Sequence, residues 1–205
     1  LKARQISPIV NDLSILLGKD TVVVTLQNGI PWWYFQNFEG KHSGLVVQTV
    51  DPKGVLFHNL DPDRLIGCIA YPAAKIEEPG VIKHIEGNRF PVGELNGKVT
   101  ERVQNVSDLF TESGFRARIL DDIRSEIWLK LWGNLTFNPI SALTHSTLVD
   151  ICQFDLTRDL VAKMMKEAQI VGESLGAYYR VPIEKRISGA EMVGKRLAEQ
   201  VLERD

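Results

Sequence analysis

Apolar residues recur in two different rhythms along the chain, and the rhythm changes near residue 120. Residues 2–17 place Ile6, Ile9, Val10, Leu13, Leu16 and Leu17 at helical spacing, with Gly18 as a stop. Residues 21–27 follow as a β-branched, almost wholly apolar run. That pattern predicts a strand buried on both faces of a parallel sheet, closed by Asn28-Gly29. Residues 45–95 read as strands and turns. Residues 65–71 form one apolar run, and residues 80–86 and 89–95 flank Gly87-Asn88 as a hairpin or antiparallel edge. Val99, Val103, Val106, Leu109 and Phe110 predict an amphipathic helix over 98–113, and residues 115–120 a last strand. From Asp121, a candidate N-cap, only helical patterns remain. The reading is α/β over residues 1–120 followed by an all-α domain over 121–205.

One predicted helix stands apart. Ile127 to Ile140 is apolar almost all round, which marks a buried helix. Its polar exceptions Lys130, Asn134 and Asn138 are spaced by four, so each is displaced only ~40° from the last, a stripe ~12 Å long. A buried ammonium needs a partner because desolvating its charge is costly. Either neighbouring helices and solvent satisfy the stripe, or it lines a cleft and binds a polar, anionic ligand. Pro139 removes a helical N–H and is expected to bend or end the helix. His145, beyond it, has no Asp or Cys at triad or zinc spacing and reads as a turn histidine. Further on, Val161, Met164, Met165, Ala168, Ile170, Val171 and Leu175 make a broad apolar stripe, read as core, with a homodimer surface as the alternative.

Composition narrows the class. With 44% hydrophobic and 24% charged residues the chain is of ordinary globular make-up, and its net charge of -2 advertises neither nucleic acid nor an anionic membrane. Cys68 and Cys152 lie among apolar neighbours and in no metal-binding spacing, so each reads as a small buried residue in a reducing, cytoplasmic setting. No apolar run reaches the ~18 residues of a membrane span. The chain opens at Leu1 and closes at Asp205 inside helical patterns, which leads us to expect truncation at both ends.

The run Trp128-x-Lys130-x-x-x-Asn134-x-x-x-Asn138-Pro139-x-Ser141-Ala142 closely resembles the signature of the ketopantoate reductase (2-dehydropantoate 2-reductase) family. Its Lys-x-x-x-Asn core is shared with the wider 6-phosphogluconate dehydrogenase-like β-hydroxyacid dehydrogenases. Lys2-Ala3-x-Gln5, Leu26-Gln27-Asn28-Gly29 and Ala74-x-Ile76-Glu77-x-Pro79-Gly80 resemble further family segments in the same order. The resemblance implies an incomplete Rossmann-type domain, the C-terminal part of the NADP-binding domain, over 1–120. Residues 121–205 would form an incomplete helical substrate and dimerisation domain of the 6-phosphogluconate dehydrogenase C-terminal-like type. It further implies NADPH-dependent reduction of ketopantoate to pantoate, on the route to pantothenate and coenzyme A, with NADP(H) as cofactor and a 2-keto acid substrate. Lys130 would be the general acid. Asn134, Asn138 and Asn28 would bind substrate, and Lys2, Gln5, Asn28 and Ala74 would contact the cofactor.

The chain also departs from the family. It contains no Gly-x-Gly-x-x-Gly, the turn that approaches pyrophosphate. After Gly29 it continues with Ile30-Pro31-Trp32-Trp33-Tyr34-Phe35 where small residues are frequent. Trp32 and Trp33 either reshape a pocket or pack at a contact. The family's further substrate position falls near Thr147-Leu148 without a clear polar match. Another β-hydroxyacid dehydrogenase, or a non-catalytic dinucleotide-binding or dimerisation module, are the competing readings.

Overall fold

A computed structural model describes residues 1–202, with side chains through Arg196. It divides into two compact units, Leu1–Ile123 and the residues from Arg124 onward.

The first unit begins with two 3-10 turns, Ala3–Gln5 and Ser7–Ile9, and a short helix α1 (Val10–Ser14). The continuous helix expected over 2–17 is therefore broken. Pro8 supplies no amide hydrogen and its ring opposes a preceding turn, so the segment restarts there. Strand β1 (Val23–Thr25) pairs in parallel with β2 (Leu65–Cys68). Between them the chain carries the aromatic segment and helix α2 (Val55–Asn59), whose start is fixed by buried Asp51 accepting the Leu56 and Phe57 amides at 3.0 and 2.8 Å. Among the described residues β1 pairs with β2 alone, and its valines are half-buried rather than enclosed on both faces.

The hairpin differs from expectation. Its strands are β3 (Ala73–Glu78) and β4 (Val81–Glu86), turning at Pro79-Gly80, with Gly80 at φ +84°. Pro presets the first turn position and Gly accepts the positive φ of the second, so this dipeptide outcompetes Gly87-Asn88. Strand β5 (Val92–Glu94) then returns antiparallel to β2. Residues 116–120 run parallel beside 88–92 through four backbone hydrogen bonds of 2.8–3.0 Å, a ladder too irregular to count as a full strand. Helix α3 (Glu101–Glu112), capped by Thr100, makes that crossover and packs Val103, Val106 and Phe110 onto Ile66, Cys68 and Val92.

The second unit is all helix: α4 (Ile123–Thr144), α5 (Leu148–Gln153), α6 (Asp155–Ser174) and α7 (Ile183–Leu202). Its core gathers Leu129, Trp132, Phe137 and Ile140 of α4 with Ile151, Cys152, Val161, Met165 and Ile187. α4 runs through Pro139 instead of ending there. An interior proline costs on the order of 3 kcal/mol, and burial of Phe137 and Ile140 on either side offsets it. The helix stops at Thr144, where exposed His145 takes φ +57°, a turn position. The α6 stripe divides: Val161 and Met165 are fully buried, while Ile170 and Val171 are more than half exposed.

Candidate functional site

α4 separates its side chains sharply. Ile127, Trp128, Leu129, Trp132, Phe137 and Ile140 are buried. The one fully buried hydroxyl, Thr136, is satisfied within the helix by donating to the Trp132 carbonyl at 2.6 Å. Lys130 and Asn134 are half-buried and Asn138 is exposed. The stripe thus emerges from the packed side of the helix along its length. A lysine flanked by apolar neighbours at half burial keeps its charge accessible to a ligand while shedding part of its hydration.

Sequence reasoning overlooked that the four-residue spacing begins one turn earlier, at Glu126. Glu126 is 7% exposed and accepts a two-pronged hydrogen bond from Arg180, with Nη2 at 2.8 and 3.0 Å. The spacing Glu126-x-x-x-Lys130 was a readable signal; Arg180, in the loop between α6 and α7, was not. Thr147, near the position where a substrate contact was sought, instead caps α5, exchanging hydrogen bonds with Asp150. Those bonds hold the Asp150 carboxyl below its usual range. Cys152 is buried against α7, and burial pushes its thiol pKa up. Among the described residues no cluster of His, Cys, Asp and Glu is arranged to hold a metal ion, and no helix is long and apolar enough to cross a membrane.

The remaining candidates lie on separate elements of the first unit. Asn28 is exposed just past the carboxyl end of β1, the end at which open α/β sheets bind ligands. Next to it Gly29 has φ +91° and no atom within 4 Å of the place a Cβ would occupy, so the backbone is open to close approach. Lys2 and Gln5 are exposed and paired, the Lys2 amide donating to Gln5 Oε1 at 2.7 Å. Ala74 is exposed on β3, opposite His84. Two buried polar atoms flank Asn28-Gly29 in sequence without a hydrogen-bond partner among the described residues: Gln27 Oε1, an acceptor, and Trp32 Nε1, a donor. An open backbone turn and exposed amides suit a dinucleotide's phosphates and carboxamide. Trp32 and Trp33 are themselves core residues, 3% and 2% exposed, and the Trp33 indole donates to Thr25 Oγ1 at 3.0 Å. They pack the first unit.

Comparison with known proteins decides the family. Residues 122–203 match the family described as ketopantoate reductase PanE/ApbA C terminal. The chain is 48% identical over 195 residues, 95% of its length, to the 2-dehydropantoate 2-reductase of Mesorhizobium japonicum. It belongs to the ketopantoate reductase family. A putative ketopantoate reductase from Ralstonia solanacearum MolK2 superposes with a TM-score of 0.89 at 31% identity, over 95% of this chain and 60% of that one. A D-mandelate dehydrogenase in complex with NADH shares the fold, with a TM-score of 0.74 at 20% identity over 93% of this chain and 57% of that one. The chain spans 60% of the length of the Mesorhizobium relative. Within this ketopantoate reductase family member, the first unit is accordingly part of a Rossmann-type domain and the second an all-α C-terminal domain.

Proposed function

We propose that the whole protein is an NADPH-dependent 2-dehydropantoate 2-reductase, reducing ketopantoate to pantoate for pantothenate and coenzyme A synthesis in the cytoplasm. The observation that carries this reading is the stripe of half-buried Lys130 and Asn134 and exposed Asn138 along one face of a helix that buries Trp128, Leu129, Trp132, Phe137 and Ile140. When bound, the reduced nicotinamide supplies a hydride to the keto carbon. Lys130 does the complementary work: its ammonium donates a proton to the carbonyl oxygen as negative charge develops there, and until then its charge stabilises that oxygen. Asn134 and Asn138 present amide donors and acceptors along the same face and orient the carboxylate and hydroxyl oxygens of the acid. Asn28 contacts substrate and cofactor, and Lys2, Gln5 and Ala74 contact the cofactor. The exposed lysine gives charge to a phosphate, and Ala74 leaves the backbone approachable.

The test is Lys130→Ala in the complete protein, followed by NADPH oxidation with ketopantoate. A loss of at least about 100-fold in kcat, the low end for a positioned acid, is expected with the fold retained; activity within a few-fold of the parent would remove the role. A second reading, reduction of a different 2-keto acid, draws on the fold shared with a D-mandelate dehydrogenase. A panel of 2-keto acids with apolar side chains separates the two, since the preferred substrate is the one with the highest kcat/KM.

A further inference from the structure

The loop between α6 and α7 grips the amino-terminal half of α4 at three successive residues. The Tyr178 amide donates to Ser125 Oγ at 2.7 Å. The Tyr179 ring stacks on Trp132 with centroids 4.4 Å apart, and its hydroxyl donates to the Ala168 carbonyl at 3.2 Å. The Arg180 guanidinium holds the buried Glu126 carboxylate. Gly172 of α6 gives this grip room, because a Cβ there would collide with the Tyr179 hydroxyl and lie 3.0 Å from the Trp128 ring. Residues 125, 126 and 132 bracket Lys130. Glu126 lies one helical turn before Lys130 on the same face, where side chains four apart are neighbours.

A carboxylate buried to 7% exposure is expensive unless its charge is used. Arg180, half exposed, holds it in a two-pronged hydrogen bond at the edge of the packed region. We propose that Glu126, held by Arg180, is a positioning residue for Lys130: it fixes the ammonium along the helix face and keeps it charged for proton donation. This rests on the general-acid role assigned to Lys130. Charged and titratable groups are set against this stretch of α4 from several elements. Arg180 and Tyr179 come from the loop. Arg186 comes from α7, with Nη2 2.7 Å from the place a Gly133 Cβ would occupy. Arg124, on α4 itself, lies ~200° round the helix from Glu126. Glu126 is the anion of this set, so its removal and the removal of Arg180 act on Lys130 with opposite signs.

That opposition is the test. Reduction requires protonated Lys130, so kcat/KM falls as pH rises through the lysine's pKa. Glu126→Gln removes a negative neighbour and moves this alkaline limb to lower pH by about one unit, with a fall in kcat of about tenfold at neutral pH and little change in KM. Arg180→Gln uncovers the carboxylate and moves the limb to higher pH. Glu126→Asp restores most of the Glu126→Gln shift. The profiles are measured on the complete protein alongside thermal melting. Limbs unmoved in both variants, with melting temperature alone lowered, overturn the proposal and leave the pair structural. Should Glu126→Gln fail to fold, Arg180→Gln alone decides by the direction of its shift. Lys130→Ala is run in parallel. Full activity there overturns the general-acid reading itself, whereas lost activity with unmoved limbs overturns only the role of Glu126.

Discussion

Among the described residues, each unit carries one buried glutamate clasped by an arginine, and the two pairs are built for different ends. In the first unit Glu94, on β5, accepts from Thr100 Oγ1 and from two nitrogens of Arg102, with Nε at 2.7 Å. The same guanidinium donates to the Asp63 and Leu65 carbonyls. The hydrogen bond to Glu94 holds the Arg102 pKa above its ordinary value, ahead of the opposing cost of burial. That pair ties the cap and first turn of α3 to the sheet and the turn before β2. In the second unit Glu126 has Arg180 beyond it and Lys130 one turn along the helix. A buried ion pair therefore does not mark a functional site by itself. What lies one turn away decides whether its field is spent on the fold or on chemistry.

The contrast can be broken most directly at Glu94. Glu94→Ala should destabilise the protein by about 3 kcal/mol, the cost of leaving a partly buried arginine without its partner. The alkaline limb of kcat/KM should stay in place. Chemical denaturation and a pH profile of the same variant check both, and a moved limb would erase the distinction between the pairs. A smaller effect separates the loop's grip from its charge. Trp132→Phe keeps an aromatic face for Tyr179 but removes the indole donor to the Met165 carbonyl, at 2.9 Å. It should cost about 1–2 kcal/mol in urea unfolding and leave the pH limb unmoved.

The least effect expected is a slow one. Cys68 lies in the core of the first unit and Cys152 in that of the second, both as free thiols. Single-cysteine variants should resist a thiol reagent in the native state, and each should react only when its own unit opens. Different protection of the two thiols would show that the units open independently. The sign of the pH effect at Cys152 follows from its raised folded pKa: its contribution to stability is full below the unfolded thiol's pKa and is lost as pH rises through the folded value. Urea midpoints for the Cys152 variant and parent should converge at high pH.

Much of this was legible along the chain because the signals were local. The four-residue spacing of Lys130, Asn134 and Asn138 fixes them to one helix face whatever packs against the rest. The change from β-branched runs to helical periodicity marks the passage from sheet to bundle. The errors fell where two local signals competed. Pro8 lies inside an otherwise helical rhythm and breaks it, while Pro139 lies in a helix buried deeply enough to tolerate it. Pro79-Gly80 and Gly87-Asn88 are both turn dipeptides, and pairing of β5 with β2 selects the first. Trp32 and Trp33 were ambiguous between reshaping a pocket and packing at a contact, and the structure gives a third outcome: both lie in the core of the first unit, the Trp33 indole on Thr25.

By itself, then, the sequence determined the passage from sheet to helices, the polar face of α4 and the family signature carried on it, because each depends on periodicity within a few turns of chain. The tertiary structure alone decided that Arg180 reaches Glu126 across 54 residues, that Tyr179 stacks on Trp132, and that Ile170 and Val171 stay outside the core their stripe appeared to join. Such contacts are set by how helices pack, and packing depends on the summed burial of many side chains rather than on any spacing visible in one segment.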